Sequence, residues 1–530
     1  MRHFSAESKL QRNLVSRVAV GDVLRARARS LPTHEAVVQY SGSERVSITY
    51  EALNLRVNRL VHALRGQGIA QGDRIALMAQ SGIDFITVMF AAFKAGLVFL
   101  PVNFAQGASG IRYCIEHADA KLVFFDQAAS ASLVACLEQG SLPKRIALDE
   151  DCEDGTPTLA ALLQDAPDDE VLDVVIVPQD IAQIMYTSGT TAEPKGVLHS
   201  HLSLYMAMTT SLLECGFRPD CRNYTTLPLF HIAAEMQTLA VLFLGGVTAL
   251  QRRFDASLLF AQLEREHATN LTLFPVMYGE FLKVTRDPDA ILPELQAVTA
   301  ATVAPAVREQ LRQMMPNAQL YGMAGQTEVC GFAESMNTNS EVEHPGANYW
   351  GTPALGLERV ILDEDGNELA RGEVGEICWR GPQVMAGYLN DPVASSSASR
   401  FGWHHSGDLG MIDKCGQLQF VDRKKDIIKS GGENVSSALV ESVIARLPGV
   451  LGMAVIGLPH PRWQEAVTAL VVSDPGVALC EAAVIDHCKE HLGGFQVPKR
   501  VLFVDELPVN ATGKIRKPEL RQKYCDLYRE

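Results

Sequence analysis

Apolar segments of strand length alternate with helical patterns over the first half of the chain. Residues Arg74–Met78 form a short apolar run that predicts a buried strand. Ile83–Lys94 carries a broad apolar face at helical spacing, and Gly96 predicts a left-handed cap at the end of that helix. Further strands are predicted at Leu97–Val102, Lys121–Phe125 and Ile181–Tyr186. This alternation predicts an α/β fold with largely parallel sheets.

The pattern changes twice towards the C-terminus. After about residue 340, glycine-rich turns such as Asp365-Gly366 become frequent, which predicts a β-rich part built from hairpins. The charged run Asp422–Asp426 follows and is compatible with either a turn or a hinge. The residues after it suffice for a small separate α+β domain.

Composition limits the classes of function. The chain has 530 residues, 47% of them hydrophobic, and a formal net charge of −15. That length suffices for two or more domains. A net negative charge that is spread along the chain argues against nucleic-acid binding, which needs a basic face. It leaves nucleotide binding open, because a phosphate site needs only a few local donors.

Cysteine usage and the absence of targeting signals favour a cytoplasmic protein. The 11 cysteines include no CxxC pair and no cluster with metal-ligand spacing, which predicts reduced thiols. The N-terminus is polar and mixed in charge, unlike a secretory signal. The longest uncharged apolar run, Thr238–Leu250, is too short to span a bilayer as a helix. We therefore expect no integral membrane association.

The segment that follows Ile181–Tyr186 is rich in hydroxyl groups, glycine and lysine. It reads Thr187-Ser188-Gly189-Thr190-Thr191-Ala192-Glu193-Pro194-Lys195-Gly196. Hydroxyls and backbone N–H groups donate hydrogen bonds to phosphate oxygens, and lysine adds positive charge. The spacing is not that of a Walker A loop. On composition alone, a phosphate loop and a polar surface loop account for this segment equally well.

Further segments carry candidate chemistry in chain order. They are Leu227–His231, Thr302–Pro305, Ala324–Glu328, Ser406–Asp408, Asp422–Asn434 and Pro508–Arg516. Several of them have an ordinary explanation when taken alone, as a half-buried histidine, a turn or a solvated lysine, whereas Asp422–Asn434 is more specific. Together with the hydroxyl-rich segment, and in this order, they resemble the adenylate-forming superfamily. That superfamily contains acyl-CoA synthetases, luciferase and the adenylation domains of peptide synthetases.

The resemblance implies a nucleotide site. In the family, the phosphate loop corresponds here to Thr187, Ser188, Gly189, Thr190, Thr191 and Lys195. Thr327 would contact the α-phosphate, Glu328 would hold Mg²⁺, and His231 would form a wall of the carboxylate site. Residues near the adenine would be Thr302, Val303, Ala304, Ala324, Gly325 and Gln326. Ala324 stands where the family usually has an aromatic ring. Asp408 would bind the ribose hydroxyls, and Arg423 the ribose or a phosphate.

The resemblance also implies a mobile C-terminal domain. We expect an adenylate-forming domain over residues 1–422, a hinge at 423–426 with Lys425 as its pivot, and a mobile domain at 427–530. Lys514 would be the catalytic lysine of the first half-reaction. After the domain rotates, coenzyme A would contact the residues that correspond to the family's thiol-binding face. These are Gly431, Gly432, Trp463, Phe495 and Lys499.

The implied function is the ATP- and Mg²⁺-dependent activation of a carboxylic acid as acyl-AMP, followed by transfer to coenzyme A. Two alternatives stay open: a free-standing ligase that loads a carrier protein, and an inactive nucleotide-binding sensor. Candidate pocket residues are mostly small or apolar, which favours a fatty or aromatic acid: Phe230, Ala233, Ala234, Val298–Ala301 and Met323. Glu235 complicates this interpretation. A homodimer is expected from the family alone.

Overall fold

The computed structural model describes residues 6–149, 155–187, 194–273, 275–284, 290–300, 305–337, 349–509 and 515–529. The helices are α1 (Ala6–Ser16), α2 (Asp22–Ser30), α3 (Tyr50–Gly66), α4 (Ile83–Ala95), α5 (Ala108–His117), α6 (Ser130–Glu138), α7 (Leu159–Leu163), α8 (His201–Glu214), α9 (Ile232–Leu244), α10 (Ala256–Arg265), α11 (Pro275–Val284), α12 (Pro305–Met314), α13 (Pro392–Ala398), α14 (Ser437–Ile444), α15 (Glu481–His491) and α16 (Lys517–Lys523).

The strands form three sheets. They are β1 (Glu35–Ser41), β2 (Glu44–Thr49), β3 (Arg74–Met78), β4 (Val98–Pro101), β5 (Ala120–Phe125), β6 (Lys144–Ala147), β7 (Ile181–Tyr186), β8 (Gly196–Ser200), β9 (Arg222–Thr225), β10 (Val247–Gln251), β11 (Asn270–Leu273), β12 (Ala297–Ala300), β13 (Gln319–Ala324), β14 (Glu334–Asn337), β15 (Tyr349–Pro353), β16 (Glu358–Leu362), β17 (Gly375–Arg380), β18 (Gly387–Tyr388), β19 (His404–Ile412), β20 (Leu418–Arg423), β21 (Ile428–Ser430), β22 (Glu433–Val435), β23 (Val450–His460), β24 (Gln464–Ser473) and β25 (Arg500–Phe503).

The first sheet contains the strands that the apolar runs predict. Its order is β18-β8-β7-β4-β3-β5-β6, and β7, β4, β3, β5 and β6 are parallel. The predicted run Arg74–Met78 is β3, and Gly96 ends α4 with a φ of 67°. The return strand β8 is antiparallel to β7 because a short loop joins them as a hairpin.

The second sheet is a long mixed sheet. Its order is β16-β17-β19-β20-β15-β14-β13-β12-β11-β9-β10-β1-β2. Strands from β1 to β13 pair in parallel, whereas β13 to β16 pair through antiparallel ladders. The α/β fold is thus confirmed, but the sheets are mixed. The β-rich part predicted after residue 340 supplies the antiparallel portion.

The last hundred residues form a small α+β unit, as the sequence predicts. Strands β21 to β25 make a five-stranded sheet in which β23 and β24 form a long antiparallel pair. Helices α14 and α15 cover one face, where Val440, Val484 and Cys488 are fully buried. Helix α16 packs on β23 at the other face.

Two observations bear on compartment and membrane association. The ten cysteines in the described ranges are all free thiols. None of the helices within those ranges combines the length and apolarity that a bilayer crossing requires.

A buried lysine joins helices α3 and α4 to the segment before β7. Lys94 is 1% exposed, and its Nζ donates to Asn54 Oδ1 at 2.7 Å, Asn58 Oδ1 at 2.6 Å and Glu170 Oε1 at 2.7 Å. All three donor positions of the ammonium are therefore used. A buried charge that is satisfied in this way leaves its partners unpaired when it is removed.

We expect Lys94→Met to lower the free energy of unfolding by about 2–3 kcal/mol. The loss is smaller than for a fully buried pair because the Glu170 side chain is 20% exposed and can be partly hydrated. Urea denaturation measures the change. Lys121→Met, which removes an exposed pair with Asp119, is the control and should change the stability by about 0.5 kcal/mol or less. Equal effects of the two substitutions would contradict the structural role of Lys94.

Candidate active site

The two ends of the hydroxyl-rich segment lie side by side. Strands β7 and β8 pair in regular register from Gln183 to Tyr186, and the backbone N–H of Thr187 donates to the carbonyl of Lys195 at 3.0 Å. The β7–β8 pairing thus holds Thr187 and Lys195, at the two ends of the segment, beside each other. The predicted phosphate ligands Ser188, Gly189, Thr190 and Thr191 lie outside the described residues.

Lys195 and Glu328 meet at one tyrosine. Tyr388 lies on β18, which pairs with β8, and Lys195 Nζ is 4.7 Å from the centre of its ring. The Tyr388 hydroxyl donates to Glu328 Oε1 at 2.9 Å. Burial, with Glu328 nearby, raises the pKa of Tyr388 well above its usual range, so the hydroxyl remains a donor. Sequence reasoning missed Tyr388, because its only local signal is a turn between Gly387 and Asn390.

This arrangement fits a magnesium ion at Glu328. Its Oε2 has no hydrogen-bond partner among the residues that the structure describes, while Oε1 is fixed by Tyr388. The backbone of Glu328 is held as well, since its carbonyl accepts from Met385 N at 2.8 Å. A hard dication prefers such oxygen ligands and completes its shell with phosphate and water.

The motif from Ala324 to Glu328 requires its glycine. A Cβ on Gly325 would stand 1.9 Å from the carbonyl oxygen of Gly331, so only glycine fits this close approach. The chain then forms a short 3-10 turn at Thr327–Val329. Gly331 in turn lies against the backbone of Ala233, at the start of α9. The motif is therefore beside the helix that His231 precedes.

The candidate ribose ligand is held in a buried polar setting. Asp408 lies on β19, is 7% exposed, and its Oδ2 accepts from Gln326 Nε2 at 2.9 Å. Arg423 is directly opposite on β20, with its Nε 4.0 Å from Asp408 Oδ1. Partial desolvation and the positive charge of Arg423 lower the pKa of the Lys425 side chain. The structure thus brings together Gln326, Asp408 and Arg423, which are far apart in the sequence.

His231 caps the helix that borders the expected acyl site. Its Nδ1 accepts from Ala233 N at 3.3 Å, which makes His231 the N-cap of α9. The preceding Phe230 packs edge-to-face on Phe104, with 6.0 Å between the centres of the two rings. Ala233 and Met323 are both partly buried against the same apolar core. The adenine candidates Thr302, Val303 and Ala304 lie outside the described residues.

Glu235, one helical turn after His231 on α9, belongs to a separate group of buried polar side chains. Glu235 is fully buried, and its Oε2 accepts from Gln183 Nε2 at 2.5 Å. Gln183 faces His199 across the β7–β8 pair, and His199 Nδ1 is 3.0 Å from the sulfur of Cys330. Burial raises the pKa of Glu235 to about 8 and lowers the pKa of His199 to about 4. Both groups are therefore predominantly uncharged at neutral pH.

We expect Glu235→Gln to become increasingly stabilising as the pH rises. In the fold the carboxyl has a pKa of about 8, against an ordinary value of 4.5. Between these values the folded state binds more protons than the unfolded chain, so its stability falls as the pH rises. Glutamine accepts the same bond and cannot ionise. Its advantage in unfolding free energy should grow by about 1–2 kcal/mol between pH 6 and pH 7.5.

Urea denaturation of both proteins at the two pH values tests this expectation. Glu138→Gln, at an exposed position of α6, is the matched control and should show no such trend. A constant difference between wild type and Glu235→Gln across the range would mean that Glu235 is ionised in the fold.

The candidate coenzyme A residues share one region of the C-terminal unit. The backbone N–H of Gly431 donates to the carbonyl of Trp463 at 2.9 Å, and Gly432 follows with a φ of 90°. Lys499 Nζ is 5.2 Å from the centre of the Trp463 ring. Phe495 is 43% exposed, within the turn that leads to Lys499. A cation beside a partly exposed aromatic ring suits a phosphate-bearing nucleotide such as coenzyme A.

The catalytic-lysine candidate Lys514 lies outside the described residues. The chain on either side of it is closed into a hairpin. Val509 and Ile515 form an antiparallel bridge, and the backbone N–H of Arg516 donates to the carbonyl of Pro508 at 2.8 Å.

Comparisons with known proteins agree with this arrangement. The family model described as AMP-binding enzyme matches residues 24–389, and that of the AMP-binding enzyme C-terminal domain matches residues 439–514. A feruloyl-CoA synthase of Amycolatopsis sp is 34% identical over 502 residues, which cover 94% of this chain and 97% of that protein. The long-chain-fatty-acid–CoA ligase FadD13 of Mycobacterium tuberculosis is 32% identical over 507 residues, covering 95% and 98%.

A solved structure shows the same fold. ATP-bound MatB from Rhodopseudomonas palustris superposes with a TM-score of 0.85 at 29% identity, over 96% of this chain and 100% of that one. The chain therefore belongs to the AMP-binding enzyme family, whose fold and site order the sequence analysis predicts.

Proposed function

We propose that this protein is an AMP-forming acid–CoA ligase. The observation that carries the proposal is the convergence of Lys195, Glu328 and Asp408 from separate segments onto one site. Full-length similarity to CoA ligases supports it. The relatives act on feruloyl and long-chain fatty acyl groups, which supports a fatty or aromatic acid as substrate here.

The first half-reaction joins the acid to the nucleotide. A carboxylate oxygen attacks the α-phosphorus of ATP, the bond to the β-phosphate oxygen breaks, and pyrophosphate leaves. Both reactants are anionic, so the site must hold them in line and offset their negative charge. Lys195, the loop hydroxyls, Thr327 and Lys514 serve this purpose. Mg²⁺ held by Glu328 neutralises polyphosphate charge when bound.

The nucleoside is oriented by residues around Asp408. A buried carboxylate accepts hydrogen bonds from two vicinal hydroxyls, which suits the ribose. Gln326 and Arg423 hold Asp408 in place from both sides. His231 forms a wall beside the carboxylate of the substrate.

The second half-reaction transfers the acyl group to sulfur. The thiolate of coenzyme A attacks the acyl carbon, the bond between that carbon and the phosphate oxygen breaks, and AMP leaves. We propose domains at residues 1–422 and 427–530 joined by a hinge at 423–426, with Lys425 as the pivot. Rotation would withdraw Lys514 and bring the face of Gly431, Gly432 and Trp463 to the site.

An exchange assay tests the proposal. With a panel of fatty and aromatic acids, the protein should exchange labelled pyrophosphate into ATP, and added coenzyme A should yield the thioester by mass spectrometry. No exchange with any acid would support an inactive sensor instead. Exchange without a coenzyme A thioester would support a ligase that loads a carrier protein. The cytoplasmic location and the homodimer stay predictions, which cell fractionation and light scattering would test.

A further inference from the structure

One buried face of the long sheet is unusually polar. Side chains alternate along each strand, and Tyr224, Ala249, Leu271, Val298 and Leu320 lie on one face within a single apolar core. The opposite face, on the side of α9, carries the residues between them. In register across β9, β11, β12 and β13 it shows Thr225, Thr272, Thr299 and Tyr321. A parallel sheet covered on both sides is normally apolar on both faces.

A deeper row on the same face is polar as well. Thr248, Asn223 and Asn270 stand opposite one another across β10, β9 and β11. This row lies two residues below the first, about 6.6 Å further from the strand ends. Helix α9 covers the face and adds Gln237 and Thr238, which are at most 1% exposed. We call Asn223, Gln237, Thr238, Thr248, Asn270 and Thr272 the α9 polar cluster.

Many polar atoms of the α9 polar cluster have no partner. Gln237 Oε1 accepts from the Thr272 hydroxyl, and Thr269 donates to Asn270 Oδ1 at 2.7 Å. The following atoms are buried without a hydrogen bond to any residue that the structure describes: both amide atoms of Asn223, Nε2 of Gln237, Nδ2 of Asn270, and the hydroxyls of Thr238 and Thr248. Buried polar groups are rarely left in this way, so each requires an explanation.

The position of the cluster relates it to the acyl site. The strands β9, β11, β12 and β13 are parallel, and ligands bind beyond the carboxyl ends of such strands. Phe230 and His231 follow the end of β9, and the motif Ala324–Glu328 follows β13. An acyl group that enters between the start of α9 and these strands would point down the polar face. It would meet Thr225 and Thr272 first and then Asn223 and Gln237.

We propose that the α9 polar cluster binds an uncharged hydroxyl or carbonyl group on the acyl chain, remote from the reacting carboxylate. The inference rests on the proposed acid–CoA ligase function and narrows its substrate class. The two rows supply both donors and acceptors but contain no charged side chain. A second carboxylate would find no counter-charge there, so a neutral group fits best.

Paired acids test the inference in the pyrophosphate-exchange assay. We would compare octanoic acid with 8-hydroxyoctanoic and 7-oxooctanoic acids, and 3-phenylpropanoic acid with its 4-hydroxyphenyl counterpart; octanedioic acid tests charge. A site built to hydrogen-bond a substrate group rejects the analogue that lacks it. We expect kcat/KM to be about tenfold or more higher for the better neutral polar acid than for its apolar partner.

The outcomes separate this inference from the proposed function. Exchange that is equal or faster with the apolar acid of both series would overturn the polar cluster's role while the ligase function stands. A preference for octanedioic acid would refute the proposal that the substrate group bound by the cluster is uncharged. No exchange with any acid would refute both the function and this inference.

Substitutions in the α9 polar cluster test whether this cluster causes the preference for polar over apolar acids. Gln237→Met removes one unpartnered amide nitrogen and Asn223→Leu removes two unpartnered amide atoms, each with an apolar side chain of similar size in its place. Each substitution should reduce the polar-to-apolar ratio of kcat/KM to about one. The melting temperature of Asn223→Leu should be unchanged or higher, because both amide atoms that it removes are buried without a partner among the described residues. The exposed Gln296→Met is the matched control and should leave the ratio unchanged. If the cluster only binds structural water, Asn223→Leu would melt earlier and the ratio would be unaltered in both variants, which would refute the proposal.

Discussion

Replacing Lys514 with alanine is expected to slow adenylate formation by about 10²–10³-fold. The first half-reaction brings a carboxylate to an anionic phosphorus, and the lysine ammonium would bridge the two as a point charge. Loss of one charged contact of this kind costs about 3–4 kcal/mol of transition-state binding. Pyrophosphate exchange with a saturating acid measures the effect directly.

The second half-reaction separates the role of Lys514 from general damage. Starting from chemically prepared acyl-adenylate and coenzyme A, Lys514→Ala should form thioester at close to the wild-type rate, because the lysine would have left the site. Lys523→Ala, at an exposed position of α16, is the control and should affect neither step. Adenylate formation at full speed in Lys514→Ala would refute the assignment.

Replacing Asp408 with alanine is expected to reduce kcat/KM for ATP by about 10²–10³-fold. Asp408 is positioned by Gln326 and Arg423, so its carboxylate is prepared to accept two hydroxyl donors. Hydrogen bonds to charged groups contribute about 1.5–3 kcal/mol each. At about 1.5–2 kcal/mol each, in the lower part of that range, the loss of two gives about 3–4 kcal/mol, which is measured as weaker ATP use.

Two comparisons sharpen the Asp408 experiment. 2′-Deoxy-ATP, which offers one ribose hydroxyl fewer, should be a poor substrate for the wild type and should lose much less on Asp408→Ala than ATP does. Glu358→Gln, on strand β16 of the same sheet, removes an exposed carboxylate whose side chain is 64% accessible, and should leave ATP use unchanged. An Asp408→Ala enzyme with ordinary kinetics for ATP would place the ribose elsewhere.

Local sequence patterns were sufficient to predict several of the strands and helices around the site. The apolar runs at Arg74–Met78 and Ile181–Tyr186 coincide with β3 and β7, because a buried parallel strand is normally apolar on both faces. Gly96 adopts the left-handed conformation that its place after α4 predicts. Strand ends shifted by one residue, as in Val98–Pro101 against the predicted Leu97–Val102.

Contacts between distant segments could not be predicted in the same way. Tyr388 contacts Glu328 and Lys195 because a two-residue strand pairs with β8, and no local periodicity indicates such pairing. The polar face under α9 depends on the register of five strands. In the sequence, Asn223 and Thr225 flank Tyr224 and indicate only a weak strand. Only when the strands are paired do their polar side chains form two continuous rows.

An oxygen-transfer experiment tests the central claim most directly. In the proposed route a carboxylate oxygen of the acid becomes bonded to phosphorus and remains there when sulfur displaces AMP. With an accepted acid labelled with ¹⁸O in both carboxylate oxygens, together with ATP and coenzyme A, we predict AMP that carries one ¹⁸O atom and an acyl-CoA thioester that retains the other. Unlabelled AMP, or ADP as the nucleotide product, would contradict acyl-adenylate formation.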